Sequence, residues 1–177
     1  MTGPRSCARS EAALTILGID PGLATLGWGV IRSEGHKLRP VQYGTLGTPP
    51  GAALPHRLRS IFLGVRQLMQ TYEPDEIAFE ELFFAKNVTT GMMVSAARGA
   101  ALVAVVEKNE KVYEYTPMEV KQAVVGYGRA EKQQVQHMVR VLLGLDGIPK
   151  PDDAADALAV AITHAHTGVA VERFRMK

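Results

Sequence analysis

A short apolar run that ends in an acid constrains this chain more than any other stretch: Leu14-Thr15-Ile16-Leu17-Gly18-Ile19, followed at once by Asp20-Pro21-Gly22. The run is β-branched and too short for a buried helix, so it reads as a strand covered on both faces. Pro21, which fixes φ, and Gly22, which allows φ > 0, predict a tight turn at its end. A second apolar run, Gly27-Trp28-Gly29-Val30-Ile31, begins a few residues later, which suits a hairpin and is too close for a crossover. By period two, Leu14, Ile16, Gly18 and Asp20 share one face, so the Asp20 carboxylate stands at the lip of a sheet. A turn-forming Asp before Pro-Gly looks the same locally, and the decision rests on the other acids.

Residues 41–46 alternate as a third strand, and 54–70 repeat apolar residues at three and four, giving an amphipathic helix with Arg57, Arg59 and Arg66 toward its outer side. Residues 76–84 read as a strand reached by a helical crossover, hence parallel to the first. Glu80 and Glu81 lie inside it, where glutamate is disfavoured. Their side chains point to opposite faces, so one of the two joins Asp20, and alternation does not choose between them. A helix over 89–108 is rich in small residues, 111–116 form a fifth strand, and further helices cover 117–125 and 131–143, separated by the loop 126–129. The last helix, 152–168, begins Asp152-Asp153-Ala154-Ala155-Asp156. The helix dipole accounts for acids in the first turn. It does not account for Asp156, three residues past Asp153 on the same face of an otherwise apolar helix, and a metal site does. His164 and His166, two turns or more further on, read as helix-end residues.

At 177 residues the chain suits one domain: a leader over 1–13, a folded unit over 14–168 and a basic tail over 169–177. The leader has no apolar core of the signal-peptide kind, and apolar runs are broken before the ~20 residues of a membrane span, so the expected location is cytoplasmic with no membrane partner. The single Cys7 allows no internal disulfide. A net charge of +2 says little about nucleic acid; Lys121, Arg129, Lys132, Arg140 and Lys150 fall in one segment, a placement that suits a nucleic-acid partner and equally a solvated helix face.

Three strands, a crossover, a parallel strand beside the first and a final helix across the strand ends bring Asp20, one of Glu80 or Glu81, Asp153 and Asp156 together. Such carboxylates cannot all ionise in a small cleft without cations, and oxygen ligands without Cys or paired His point to Mg²⁺ or Mn²⁺. Two such ions suit in-line displacement at phosphate, which is nuclease chemistry.

The segments GIDPG (18–22), FEELFFAKN (79–87), VKQAVVGYGRAEKQQVQHMV (120–139) and DDAADALAVAITH (152–164) together resemble the RuvC family of Holliday-junction resolvases, in the same order and with similar spacing. The resemblance implies an α/β, ribonuclease H-like fold, a five-stranded mixed sheet flanked by helices with one antiparallel strand. It also implies a homodimer, two Mg²⁺ per active site with Mn²⁺ as a substitute, paired symmetric nicks in a four-way DNA junction, and association with RuvA and RuvB. The family's acidic quartet falls on Asp20, Glu80, Asp153 and Asp156, which selects Glu80 over Glu81 and leaves Asp152 as the helix cap. Lys121 and Lys132 match family lysines near the active site, with Lys132 counted among the catalytic residues; Phe83 matches an aromatic that stacks on bases, and Arg129 is a further DNA-contact candidate. Two rivals fit less well. An ATP-binding relative would need a second similar domain, and a junction-binding module would not need acids in apolar surroundings.

Overall fold

The computed structural model describes residues 13–82 and 88–177. Strands β1 (Leu14–Asp20), β2 (Thr25–Glu34), β3 (Lys37–Gly47), β4 (Glu76–Glu80) and β5 (Val112–Tyr115) form one sheet in the order β3-β2-β1-β4-β5. β2 runs antiparallel to both neighbours, and β4 and β5 run parallel to β1, so the sheet is mixed, with β1 central and one strand reversed, as expected. The helices are α1 (Leu54–Tyr72), α2 (Val88–Val106), α3 (Pro117–Val125), α4 (Lys132–Leu143) and α5 (Asp152–Thr167), and a 3₁₀ helix spans Gly168–Phe174.

Alternation along the strands divides the core in two. Leu17, Ile19, Ile77 and Phe79 face α1 and α2, meeting Ile61, Val65, Ala97 and Ala101. Ile16 and Ala78 face the other way, toward α3, α4 and α5. Each of the fully buried Ile and Leu side chains contributes roughly 1.5–3 kcal/mol by leaving water. From Ala154 to His164 every residue of α5 is buried except Asp156. The helix comes so close because Gly18 and Gly29, paired across β1 and β2, present bare backbone to it. A Cβ on Gly18 would lie 2.1 Å from the Ala157 carbonyl oxygen, and one on Gly29 would lie 2.6 Å from Leu158 Cδ2.

Several expectations change. Gly22 does not adopt a positive φ; it is needed because a Cβ there would lie 2.1 Å from the Thr25 carbonyl oxygen. β3 begins at Lys37, earlier than alternation indicates, because a two-residue turn opening at Gly35 (φ 60°) pairs it with β2 at once. Pro40 is accommodated there on an edge strand, beside the register shift at Val30/Ile31. β4 stops at Glu80, short of 84. His164 does stand near the end of α5, as expected, but inside the core: its fully buried ring lies 2.7 Å (Nε2) from Glu76 Oε2 and 2.8 Å (Nδ1) from the Tyr115 hydroxyl, beneath Tyr113. Residues 169–177, read as a tail, pack on the sheet instead. Phe174 stacks on Tyr115, Val171 is buried, and the Met176 N–H donates to the Val112 carbonyl, covering the free edge of β5.

α2 is apolar enough by length and composition to cross a membrane, with mean hydropathy 1.4 over Thr89–Val106. Ala97, Ala101, Ala104 and Val105 pack into the core, and Arg98 pairs with Glu114 of β5 at 2.6 Å, whereas Met92 (67% exposed) and Val103 (56%) remain uncovered.

Candidate active site

Asp20 is the last residue of β1, where Pro21 ends the strand's pairing. The parallel register Gly18↔Ala78 and Ile19↔Phe79 carries one step further to set Asp20 beside Glu80, the last residue of β4. Glu81 lies beyond the strand and is exposed. On the other side of Asp20, the antiparallel register opposes Asp20 to Gly27, and a Cβ on Gly27 would lie 1.9 Å from the Asp153 carbonyl oxygen. The first turn of α5 therefore rests on the backbone next to Asp20, and Asp153 and Asp156 follow onto the same side.

The four carboxylates feel one another. Burial raises the Asp20 pKa to about 8, helped by the charges of Glu80 and Asp156, by the hydrogen bond Asp20 shares with Glu80, and by Asp153. Glu80 is also raised, chiefly by burial and then by Asp156, against the lowering effects of the hydrogen bond from Asp20 and of Lys132 and Lys121. Asp156 is raised by burial and by Asp153 and Asp152, which together outweigh its ion pair with Lys132.

Lys132 opens α4, where the Glu131 N–H is capped by Gln134 Oε1 at 2.8 Å. Its Nζ lies 2.7 Å from Asp156 Oδ2 and 3.8 Å from Asp152 Oδ2. Burial alone would lower its pKa, but the hydrogen bond and charge of Asp156, with Asp152 and Asp20, raise it. Lys121 stands on α3, whose start is fixed by the Thr116 and Glu119 capping box, close enough for its charge to reach Glu80. Asp152 is not the helix cap. Pro151 holds that position, and Asp152 instead lies 3.7 Å from Lys150 Nζ and 3.8 Å from Lys132 Nζ.

Asp20, Glu80, Asp153, Asp156, Lys121 and Lys132 thus surround one cleft. Arg129 is exposed in the 126–131 loop and makes no ion pair among the described residues. Phe83 lies outside the described residues. The glycine strip Gly18, Gly27 and Gly29 is the part sequence reasoning missed; its one signal was three glycines in strands otherwise rich in Val and Ile.

The donor set is all oxygen, which suits Mg²⁺ or Mn²⁺. Among the described residues no group of three or more acidic, His or Cys side chains is preset to hold an ion by itself. A cation there would offset the mutual repulsion of the carboxylates that helps to raise Asp20 and Glu80.

Residues 16–164 match the family model described as crossover junction endodeoxyribonuclease RuvC. The chain is 57% identical to the protein of that name from Rubrobacter xylanophilus over 156 residues, covering 88% of this chain and 87% of that one. With the Alkaliphilus metalliredigens protein it shares 53% over 164 residues, 93% of this chain and 100% of the other. The solved structure of T. thermophilus RuvC in complex with a Holliday junction substrate superposes with a TM-score of 0.80 at 38% identity, covering 87% of this chain and 94% of that one.

Proposed function

The chain belongs to the RuvC family of crossover junction endodeoxyribonucleases, and on that premise we propose that it resolves four-way DNA junctions in recombination and repair by nicking two opposite strands symmetrically. The observation that carries this reading is the convergence of Asp20, Glu80, Asp153 and Asp156 from β1, β4 and α5 on one cleft flanked by Lys121 and Lys132. In this reading the four carboxylates hold two Mg²⁺ ions, for which Mn²⁺ substitutes. The ions supply, when bound, the Lewis acidity that activates water and offsets charge on the leaving oxygen. To hold the ions, Asp20 and Glu80 would both have to be ionised, so binding would release protons. Lys132, now held by Asp156, is a compact cation within reach of the cleft and is suited to a phosphate oxygen whose charge grows during displacement. Lys121 adds a second positive charge on the Glu80 side, and Phe83 and Arg129 are assigned to DNA contact.

Nicking of a synthetic four-way junction with Mg²⁺ tests the proposal. Glu80→Gln, Asp153→Asn and Asp156→Asn are each expected to lose cleavage while retaining junction binding, since each change removes a ligand charge but also lessens repulsion of the DNA backbone. Glu81→Gln and Asp152→Asn are the controls. An inactive Glu81→Gln beside an active Glu80→Gln would place the site on the wrong face of β4.

Two matched cuts require two sites held at a fixed separation, so the proposal includes a symmetric homodimer. The uncovered side of α2, with Met92, Val103 and Gly99, where nothing stands within 4 Å of an added Cβ, is the surface assigned to it. Met92→Glu combined with Val103→Glu is expected to give a folded monomer that nicks junctions without pairing the cuts. Sedimentation of the wild type as a monomer, free and on junction DNA, would rule the dimer out. Action in the cytoplasm with RuvA and RuvB is proposed on family membership alone.

A further inference from the structure

A second recess adjoins the carboxylate cleft on the side away from Lys121 and Lys132. It is a cavity of about 470 Å³ between the β1–β2 turn, the start of α2 and α1, and Arg57 and Asp153 are the charged residues of its lining. Arg57 is fixed there. Its Nε donates to Thr48 Oγ1 at 2.8 Å, and that hydroxyl donates in turn to the Leu23 carbonyl at 2.6 Å, while the Thr48 N–H bonds the Ala24 carbonyl. The Nε bond orients the planar guanidinium and leaves its two terminal nitrogens without a partner among the described residues. A half-buried, oriented arginine with its fork free is matched to an oxyanion of phosphate type. Thr25 and Thr89 add hydroxyls to the same lining, and Leu23 and Met93 add apolar surface suited to a sugar.

We infer that Arg57 and the β1–β2 turn form a seat for a backbone phosphate of the strand being cut, next to the scissile phosphate on the Asp153 side. This rests on the nuclease reading above. The four carboxylates repel DNA, and Lys121 and Lys132 offset that repulsion on the α3 and α4 side alone. Arg57 supplies the counterpart on the β2 side, so the strand is held at both ends of the cleft and its scissile bond is drawn across Asp20. Arg57 is therefore a positioning residue.

The test uses full-length protein and synthetic four-way junctions in which phosphates around the cut are replaced one at a time by neutral methylphosphonate. Arg57→Ala is expected to weaken junction binding roughly tenfold and to reduce the salt slope of binding by about one. One methylphosphonate position should weaken wild-type binding and cleavage while adding nothing to the defect of Arg57→Ala, a coupling that a purely structural role does not produce. Thr48→Val, which loosens the turn but keeps the cation, should retain most of the salt slope. If Arg57→Ala fails to fold, Arg57→Gln, whose amide still donates to Thr48, carries the same comparison. Additive effects at every phosphate with an unchanged slope would overturn the inference while leaving the nuclease reading intact. A wild type that neither binds nor nicks any junction would overturn both.

Discussion

Asp20→Asn is expected to abolish cleavage and at the same time to raise the melting temperature of the metal-free protein at pH 8, an outcome that separates a site built for cations from one built for stability. The Asp20 carboxyl is driven up from 3.8 to about 8, first by burial and then by Glu80 and Asp156. Its folded-state pKa exceeds its unfolded value, so its stabilising contribution is complete below about 4 and is lost progressively as pH rises toward 8. At pH 8 the metal-free fold thus bears close to the full cost of a crowded, partly desolvated carboxylate, on the order of 2 kcal/mol once the site relaxes around it. Asn is nearly isosteric, carries no charge, and its amide donates to Glu80. The variant should therefore melt roughly 5 °C higher than the wild type at pH 8, with the gap closing toward pH 4.

Divalent cation reverses the order. On the two-metal reading, Mg²⁺ would need Asp20 and Glu80 ionised, so it should stabilise the wild type more at pH 8 than at pH 6 and release a proton on binding. Saturating Mg²⁺ at about 100 times its dissociation constant adds ~2.7 kcal/mol to the protein that binds it and little to Asp20→Asn. Thermal melts in chelator and in Mg²⁺ across this pH range check both halves. Equal melting temperatures for the two proteins in chelator from pH 5 to 9 would mean that the Asp20 charge is already balanced without metal.

What could be read from the sequence divides along a physical line. Asp20 was legible because a strand that ends in an acid advertises it locally, and Asp156 because i, i+3 spacing is a property of one helix. The choice of Glu80 over Glu81 was not local: it follows from the register of β4 against β1, which residue alternation cannot supply. His164 read only as a residue near a helix end, and Glu76 only as the first residue of a strand. They meet across 88 positions at 2.7 Å, and one sequence does not show which polar residues will meet. The end of the chain carried an error, since Arg173, Arg175 and Lys177 suggested a solvated tail while Val171, Phe174 and the backbone of Met176 were closing the β5 edge. The glycines are the clearest case. In strand reasoning a glycine is a defect, and Gly18, Gly27 and Gly29 become necessary only once α5, more than 120 residues later, lies across them.

That dependence makes Gly27→Ala a variant in which one added methyl has a large catalytic effect. The added methyl would sit 1.9 Å from the Asp153 carbonyl oxygen, 2.4 Å from its carbonyl carbon and 3.0 Å from its Cβ. Backbone cannot rotate out of the way as a side chain does, so the first turn of α5 must lift by a little over 1 Å to restore ordinary contact. Gly27 lies directly opposite Asp20 in the β1–β2 ladder, and the lift therefore opens the Asp20 to Asp153 separation itself. The body of α5 remains anchored by Leu158 and Ile162, which are fully buried, so the damage to stability is that of local overpacking, about 1–3 kcal/mol. A displacement of this size at a reacting centre costs on the order of 10²-fold in turnover, while junction binding through Lys121, Lys132 and the outer surface persists. Gly29→Ala is the comparison: its methyl meets Leu158 Cδ2 and Cγ at 2.6 and 2.7 Å, a side chain that can change rotamer, and it lies two residues further from the carboxylates. Gly29→Ala should lose stability with a smaller loss of turnover, and single-turnover nicking under saturating protein separates the two effects. Gly27→Ala cutting junctions at the wild-type rate would show that the position of Asp153 does not depend on bare backbone at Gly27.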